Sequence, residues 1–278
     1  MQLEGIISRS ITQDIRLKGH QSIRFMPDGF SILVSDASFR PVFLQQYAYD
    51  PMVPAATFPG ECRRILEELE LLDFEGETVL IIDSVAFTVV PAQFFDDSHA
   101  RPLLEKATFL EPHERVAHRF IRNRNLHVVF AYPESLDHLK EGIKGRAHVT
   151  HVAECLISLS DQVQASDHQR GFLLAEVQPR SLDLLVIKED SIRLLNGYAL
   201  KDPSDFIFHT LNTMKQLGLD RETIPVYLSG MIHQEHELFG LLGKYIRLVR
   251  TTPYYLETLT KAQVLRYMIL SEGNKCAL

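Results

Sequence analysis

The sequence predicts an α/β protein that uses one unit twice: three adjacent strands, then a helix, then a further strand. Three observations predict it. Each unit opens on segments alternating apolar and polar residues with period two, cut by tight-turn residues. Each continues into a helix with one apolar face. Each closes on a short apolar run, as an inner strand does.

In the first copy, Ser22-Ile23-Arg24-Phe25-Met26 alternates as a half-buried strand. Pro27-Asp28-Gly29 turns the chain, because proline presets φ and glycine accepts positive φ. Phe30 to Ser35 returns, Asp36-Ala37-Ser38 turns again, and Pro41 to Tyr49 is the third strand. Gly60 to Leu72 reads as a helix, with Cys62, Ile65, Leu66, Leu69 and Leu72 on one face. Thr78 to Ile82 is the inner strand, bounded by acidic residues.

In the second copy, Phe172 to Val177 is the first strand, and Gln178-Pro179-Arg180-Ser181 the turn. Leu182 to Ile187 and Ile192 to Leu200 complete the meander around Lys188-Glu189-Asp190. The helix that follows is expected to start with Asp202 as N-cap and Pro203 at its first position, with Asp205 in the first turn. Ile207, Leu211 and Met214 share its apolar face, Gly218 ends it, and Pro225 to Leu228 is the inner strand. The copies run in register over about 60 residues at an offset of roughly 150, which points to an internal duplication.

Residues 1 to 20 give no firm element. Between the copies, Phe87 to Val90 and Leu126 to Tyr132 read as strands. His99 to Phe109, Pro112 to Asn123, Ser135 to Ile143 and Val149 to Leu159 read as helices, and Tyr255 to Leu270 as a final amphipathic helix. The expected division is 1–167 for the first half and 168–278 for the second, with the last helix packing back on the first.

Composition narrows the function classes. A 45% hydrophobic content can fill a core without covalent staples. A net charge of −7 argues against broad nucleic-acid binding, which rests on clustered Lys and Arg. Three scattered cysteines, Cys62, Cys155 and Cys276, fit neither a disulfide framework nor a CxxC metal pattern, and so suit a reducing compartment. No signal-peptide core opens the chain and no run approaches the roughly 20 apolar residues of a membrane span. A cytoplasmic protein without membrane insertion is expected.

Ser22-Ile23-Arg24-Phe25 leading into Asp28-Gly29-Phe30-Ser31-Ile32 resembles the actin, sugar-kinase and heat-shock chaperone superfamily. So do Leu126 to Pro133, His148-Val149-Thr150-His151 and Val226-Tyr227-Leu228-Ser229-Gly230. Within that superfamily the chain is most similar to an uncharacterised bacterial family with an actin-like ATPase fold, and more distantly to actin-like proteins of pilus assembly and type II secretion. The resemblance implies a duplicated ribonuclease-H-like fold: two halves with mixed five-stranded sheets flanked by helices, facing each other across a cleft. Fold alone does not carry function.

In active members of the superfamily the turn after each first strand reads Asp-x-Gly, with Asp handling Mg²⁺ or the attacking water and Gly admitting a phosphate. Here the Asp positions carry Arg24 and Glu176, and the Gly positions Met26 and Gln178. Pro179 has no N–H to donate. Asp28 and Gly29 sit at the tip of a turn too short to wrap a phosphate. The adenosine-side motif keeps one glycine, in Ser229-Gly230, and the Walker pattern is absent. No catalytic residue is assigned, and neither a cofactor nor ATP with Mg²⁺ is expected. The candidate ligand-binding positions of the cleft are Asp28, Gly29, Glu176, Arg180, Ser181, Ser229 and Gly230.

The pairs His148/His151 and His233/His236 lack the third and fourth ligands that zinc needs, so solvated or helix-capping roles are expected and no metal site. Arg115, Arg119 and Arg122 would share one face of the 112–123 helix, and Tyr254 and Tyr255 form an exposed-looking aromatic pair. These five are the candidate partner surface. The expected function is a non-catalytic actin-like scaffold that binds an unidentified protein partner, a role that pairwise association of copies also suits. The alternative is a nucleotide-binding or ATP-hydrolysing switch with a modified cleft.

Overall fold

A computed structural model describes residues 2–50, 52–167, 171–202 and 204–276. The chain forms two compact units, Met1–Cys155 with Ile269–Leu278, and Leu156–Met268.

The first part of the chain runs β1 (Gln2–Ser8), α1 (Gln13–Lys18), β2 (His20–Met26), β3 (Gly29–Ser35), β4 (Pro41–Ala48), α2 (Phe58–Glu68) and β5 (Glu77–Ile82). It continues through β6 (Phe87–Pro91), α3 (Ala100–Ala107), β7 (Glu114–Ile121), β8 (Leu126–Pro133), α4 (Ser135–Gly142), β9 (Ala147–His151) and α5 (Val152–Asp167). Its main sheet has the order β1-β4-β3-β2-β5-β9. The meander β2-β3-β4 is antiparallel, and β5 and β9 add in parallel, with Ile23 beside Leu80 and Leu80 beside Val149.

The second part runs β10 (Gly171–Val177), β11 (Ser181–Lys188), β12 (Ser191–Ala199), α6 (Asp205–Gln216), β13 (Val226–Gly230), α7 (Glu237–Leu242), β14 (Val249–Thr251) and α8 (Lys261–Cys276). Its sheet has the order β12-β11-β10-β13-β14. The pairing matches that of the first unit: an antiparallel meander, then β13 parallel to β10. Leu173, Ala175, Leu184, Val186, Val226 and Leu228 pack with Phe206 and Met214 of α6 into one core.

Several elements differ from the sequence expectation. Residues 2–18 are ordered: β1 adds a sixth strand to the first sheet by pairing with β4, a contact too distant in sequence to leave a local pattern. The 112–123 segment holds the strand β7 (Glu114–Ile121) where an α-helix is expected. Its Arg and Ala content favours a helix, but antiparallel pairing with β8 overrides that weak propensity. The segment from Val149 begins as strand, and α5 starts only at Val152. The last helix starts at Lys261, after a capping box in which Thr260 Oγ1 accepts from the Gln263 N–H (3.3 Å) and Gln263 Oε1 accepts from the Thr260 N–H (3.0 Å).

The expected start of α6 also shifts. Pro203 lies outside the described residues, and the N-cap position is Ser204. Asp202 acts one step earlier, its Oδ1 accepting from the Ser204 N–H at 2.8 Å.

A separate three-stranded sheet, β6-β8-β7, lies in the first unit. Val129 and Ala131 of β8 pack with Ala100 and Leu104 of α3 on one face.

Candidate functional site

In the first unit the chemistry converges where β2, β5 and β9 end side by side. Arg24 is buried on β2, and Asp83 follows β5 directly. The Asp83 N–H donates to the Phe25 carbonyl at 2.9 Å, which carries the strand pairing one residue further and fixes the carboxylate beside Arg24. Arg24 Nη2 lies 2.5 Å and Nε 3.1 Å from Asp83 Oδ2, and the two side chains are 2% and 1% exposed. A buried carboxylate needs such a charged donor.

His151 completes this cluster. It ends β9 and caps α5: its Nδ1 accepts from the Ala153 N–H at 3.1 Å while Nε2 donates to the Ser84 carbonyl at 3.0 Å. One nitrogen must accept and the other donate, so the ring is neutral with its proton on Nε2. Burial pushes its pKa down to about 4, against the opposing pull of Asp83. Phe87 and Phe130 enclose it, with ring centroids 4.4 and 5.5 Å away.

The corresponding row of the second unit is also polar. Glu176 on β10 sits opposite Asp183 of β11 and beside Ser229 of β13, all three buried. Gln178 Nε2 donates to Glu176 Oε1 at 2.7 Å, and Ser229 Oγ to the Ala175 carbonyl at 3.3 Å. Gly230 has φ +83°, and a Cβ there would collide with the Val177 carbonyl oxygen. That close approach explains the glycine structurally. The Met231 N–H donates to the Val177 carbonyl at 2.7 Å, the same link that Asp83 makes to Phe25. Methionine thus stands where the first unit has its carboxylate.

The remaining sequence candidates lie as follows. Asp28 is half-buried in the β2–β3 turn, its carbonyl accepting from the Tyr49 N–H at 2.9 Å, and Gly29 opens β3 opposite Ala48. Arg180 is exposed in the β10–β11 turn, while Ser181 opens β11 and is buried. Arg115 and Arg119 share a strand face, not a helix face, and both meet acids of their own chain: Arg115 pairs with Glu134, and Arg119 Nε lies 3.2 Å from Glu154. Arg122 falls in the turn after β7. Tyr254 is half-buried and Tyr255 exposed, in the irregular stretch after β14.

The histidine pairs do not lie on helices. His148 meets Glu77 at 3.2 Å, and His236 caps α7 by accepting from the Leu238 N–H at 3.2 Å. Among the described residues no group of three or more His, Cys, Asp or Glu could hold a metal ion.

Sequence reasoning did not single out Asp83, His151 as a neutral buried ring, or Asp183. Asp83 had a visible signal, an acid immediately after an inner strand. Asp183 and Glu176 meet only through antiparallel register.

The family of proteins of unknown function DUF3822 matches residues 10–249. The chain belongs to that family. No curated protein sequence matches it. Among solved structures, this DUF3822 chain is similar to a Bacteroides thetaiotaomicron protein with an actin-like ATPase fold and unknown function. The TM-score is 0.75 at 20% identity, over 87% of this chain and 94% of that one. It is also similar to a chain of the PilM–PilN type IV pilus biogenesis complex, with TM-score 0.61 and 12% identity over 93% and 98% of the two chains. A third likeness is to the ethanolamine utilization protein EutJ of Carboxydothermus hydrogenoformans, with TM-score 0.50 and 10% identity over 98% and 94%. The fold is therefore the actin-like ATPase fold, with mixed sheets flanked by helices. Among the described residues no helix is long and apolar enough to cross a membrane.

Proposed function

We propose that the protein is a cytoplasmic, non-catalytic member of the actin-like fold, derived by internal duplication, that works as an assembly scaffold through protein–protein contacts. One observation carries this reading. The position that holds the metal- or water-handling carboxylate in active members holds Arg24, and its guanidinium is committed to Asp83. An arginine neither ligates a cation nor accepts a proton at neutral pH. The likeness to a chain of a pilus biogenesis complex supports an assembly role. Tyr255 is the exposed aromatic among the candidate partner residues, whereas Arg115 and Arg119 already meet acids of their own chain. Calorimetric titration with ATP and Mg²⁺ tests the reading. No binding heat is expected, and micromolar affinity would overturn it.

A nucleotide-responsive switch is the second reading, favoured by the buried row of Glu176, Asp183 and Ser229 in the second unit. It requires that Glu176→Ala abolish a nucleotide response measured in the unsubstituted chain.

A further inference from the structure

Two of the three thiols of this chain are neighbours. Cys155 is buried in the first turn of α5, and Cys276 is the partly exposed last residue of α8. Their side chains lie close enough to interact, and both belong to the first unit. Helix α8 reaches this position through Gly273. There it lies so close to Ile81 of β5 that a Cβ would collide with that side chain, and the same Cβ would stand 3.9 Å from Cys155 Sγ. Cys276, three residues further along, lies on the same face of the helix. Cys62, by contrast, is on the buried face of α2.

We propose that Cys155 and Cys276 are a redox-modification site, which a peroxide converts to a reversible intrachain disulfide. Cys276, the thiol that solvent reaches, reacts first. Its sulfur attacks the O–O bond of hydrogen peroxide, giving Cys276 sulfenic acid and one water. The Cys155 sulfur then attacks the sulfenic sulfur, forming the S–S bond and releasing a second water. The net change is two thiols and one peroxide to one disulfide and two waters. The interaction with Cys276, together with burial, raises the Cys155 pKa well above the usual thiol value. Cys155 is thereby kept protonated and unreactive until an electrophilic sulfur forms beside it. The product ties the last turn of α8 to the first turn of α5, and a dithiol reductant restores both thiols.

The test uses the full chain, exposed to a small molar excess of hydrogen peroxide, quenched, unfolded and counted for thiols, with peptide mass mapping. Free thiols should fall from three to one, a linked peptide should join Cys155 to Cys276, and dithiothreitol should reverse both changes. The Cys276→Ser variant should keep its two remaining thiols at that dose. Because Cys276 is partly exposed, this variant holds the test even if Cys155→Ser fails to fold. Where Cys155→Ser does fold, it should accumulate a sulfenic acid at Cys276 that dimedone traps. The proposal is overturned if wild type accumulates sulfenic or sulfinic Cys276 with Cys155 still free. It is equally overturned if the linkage joins Cys276 of two chains, or if all three thiols survive a dose that oxidises free glutathione.

Discussion

Arg24 donates two hydrogen bonds to one oxygen of Asp83, at 2.5 and 3.1 Å, inside a sheet whose neighbouring side chains exclude water. The pair replaces a hydrated carboxylate by a neutralised one, and it makes each partner depend on the other. Removing one charge of a buried pair costs about 3–5 kcal/mol, because the remaining charge keeps its desolvation penalty. Asp83→Ala should therefore lower stability by about that amount in urea unfolding at pH 7. Arg24→Met combined with Asp83→Leu should recover most of the loss, since apolar replacements of similar volume carry no penalty of that kind. An Asp83→Ala chain within about 1 kcal/mol of wild type would show that the pair is not sealed as described.

His151 makes stability depend on pH. Its folded pKa of about 4 lies below the ordinary 6.5, so the unfolded chain binds the proton more readily. The stability associated with the neutral ring is complete above pH 6.5 and is lost as pH falls through the interval down to about 4. Between pH 7 and pH 5 this amounts to roughly 2 kcal/mol. Urea midpoints at the two pH values, compared for wild type and His151→Gln, isolate the contribution from that of the carboxylates. The variant should be less stable at pH 7 and show a pH dependence smaller by that amount. Equal pH dependence in the two chains would mean that His151 titrates normally.

The order of elements within the two repeated units was legible because it rests on local signals: alternation from Ser22 to Met26, Pro27-Asp28-Gly29 at a turn, and the helix stop at Gly218. What stayed hidden depends on contacts remote in sequence. Strand β7 carries helix-favouring residues and becomes a strand only against β8. β1 exists because β4 offers an edge. The substitution at Arg24 was visible as an oddity, but its partner 59 residues away was not. Nor could the sequence say that Arg115 and Arg119 face Glu134 and Glu154, which turns an apparent basic stripe into internal pairing.

Tyr255 separates a surface role from a structural one. Its side chain is 80% exposed, so Tyr255→Ala should change stability by no more than about 0.5 kcal/mol. If this tyrosine anchors a partner, the same substitution should weaken capture of that partner by about 1 kcal/mol or more, roughly fivefold in affinity. Thermal unfolding and a quantitative pull-down of wild type and variant are read together. A large drop in melting temperature would assign Tyr255 to packing instead.

Gly230 and Ser229 are adjacent, yet substitution should affect them through different physics. Gly230 combines φ +83° with contact against the Val177 carbonyl. Gly230→Ala must therefore move β13 away from β10 or strain the turn, at a cost of about 1–3 kcal/mol. The Ser229 hydroxyl donates to the Ala175 carbonyl, and Ser229→Ala should cost about 1 kcal/mol. The difference matters for any ligand measurement at this end of the sheet. Loss of a nucleotide response in Gly230→Ala would follow from a disturbed strand pair and would say nothing about contact. Loss in Ser229→Ala, with the melting temperature nearly retained, would point to the hydroxyl itself and favour the switch over the scaffold. With the scaffold reading, Ser229→Ala and wild type should be indistinguishable in calorimetry with ATP and Mg²⁺, while Gly230→Ala is recognised by its lowered melting temperature alone.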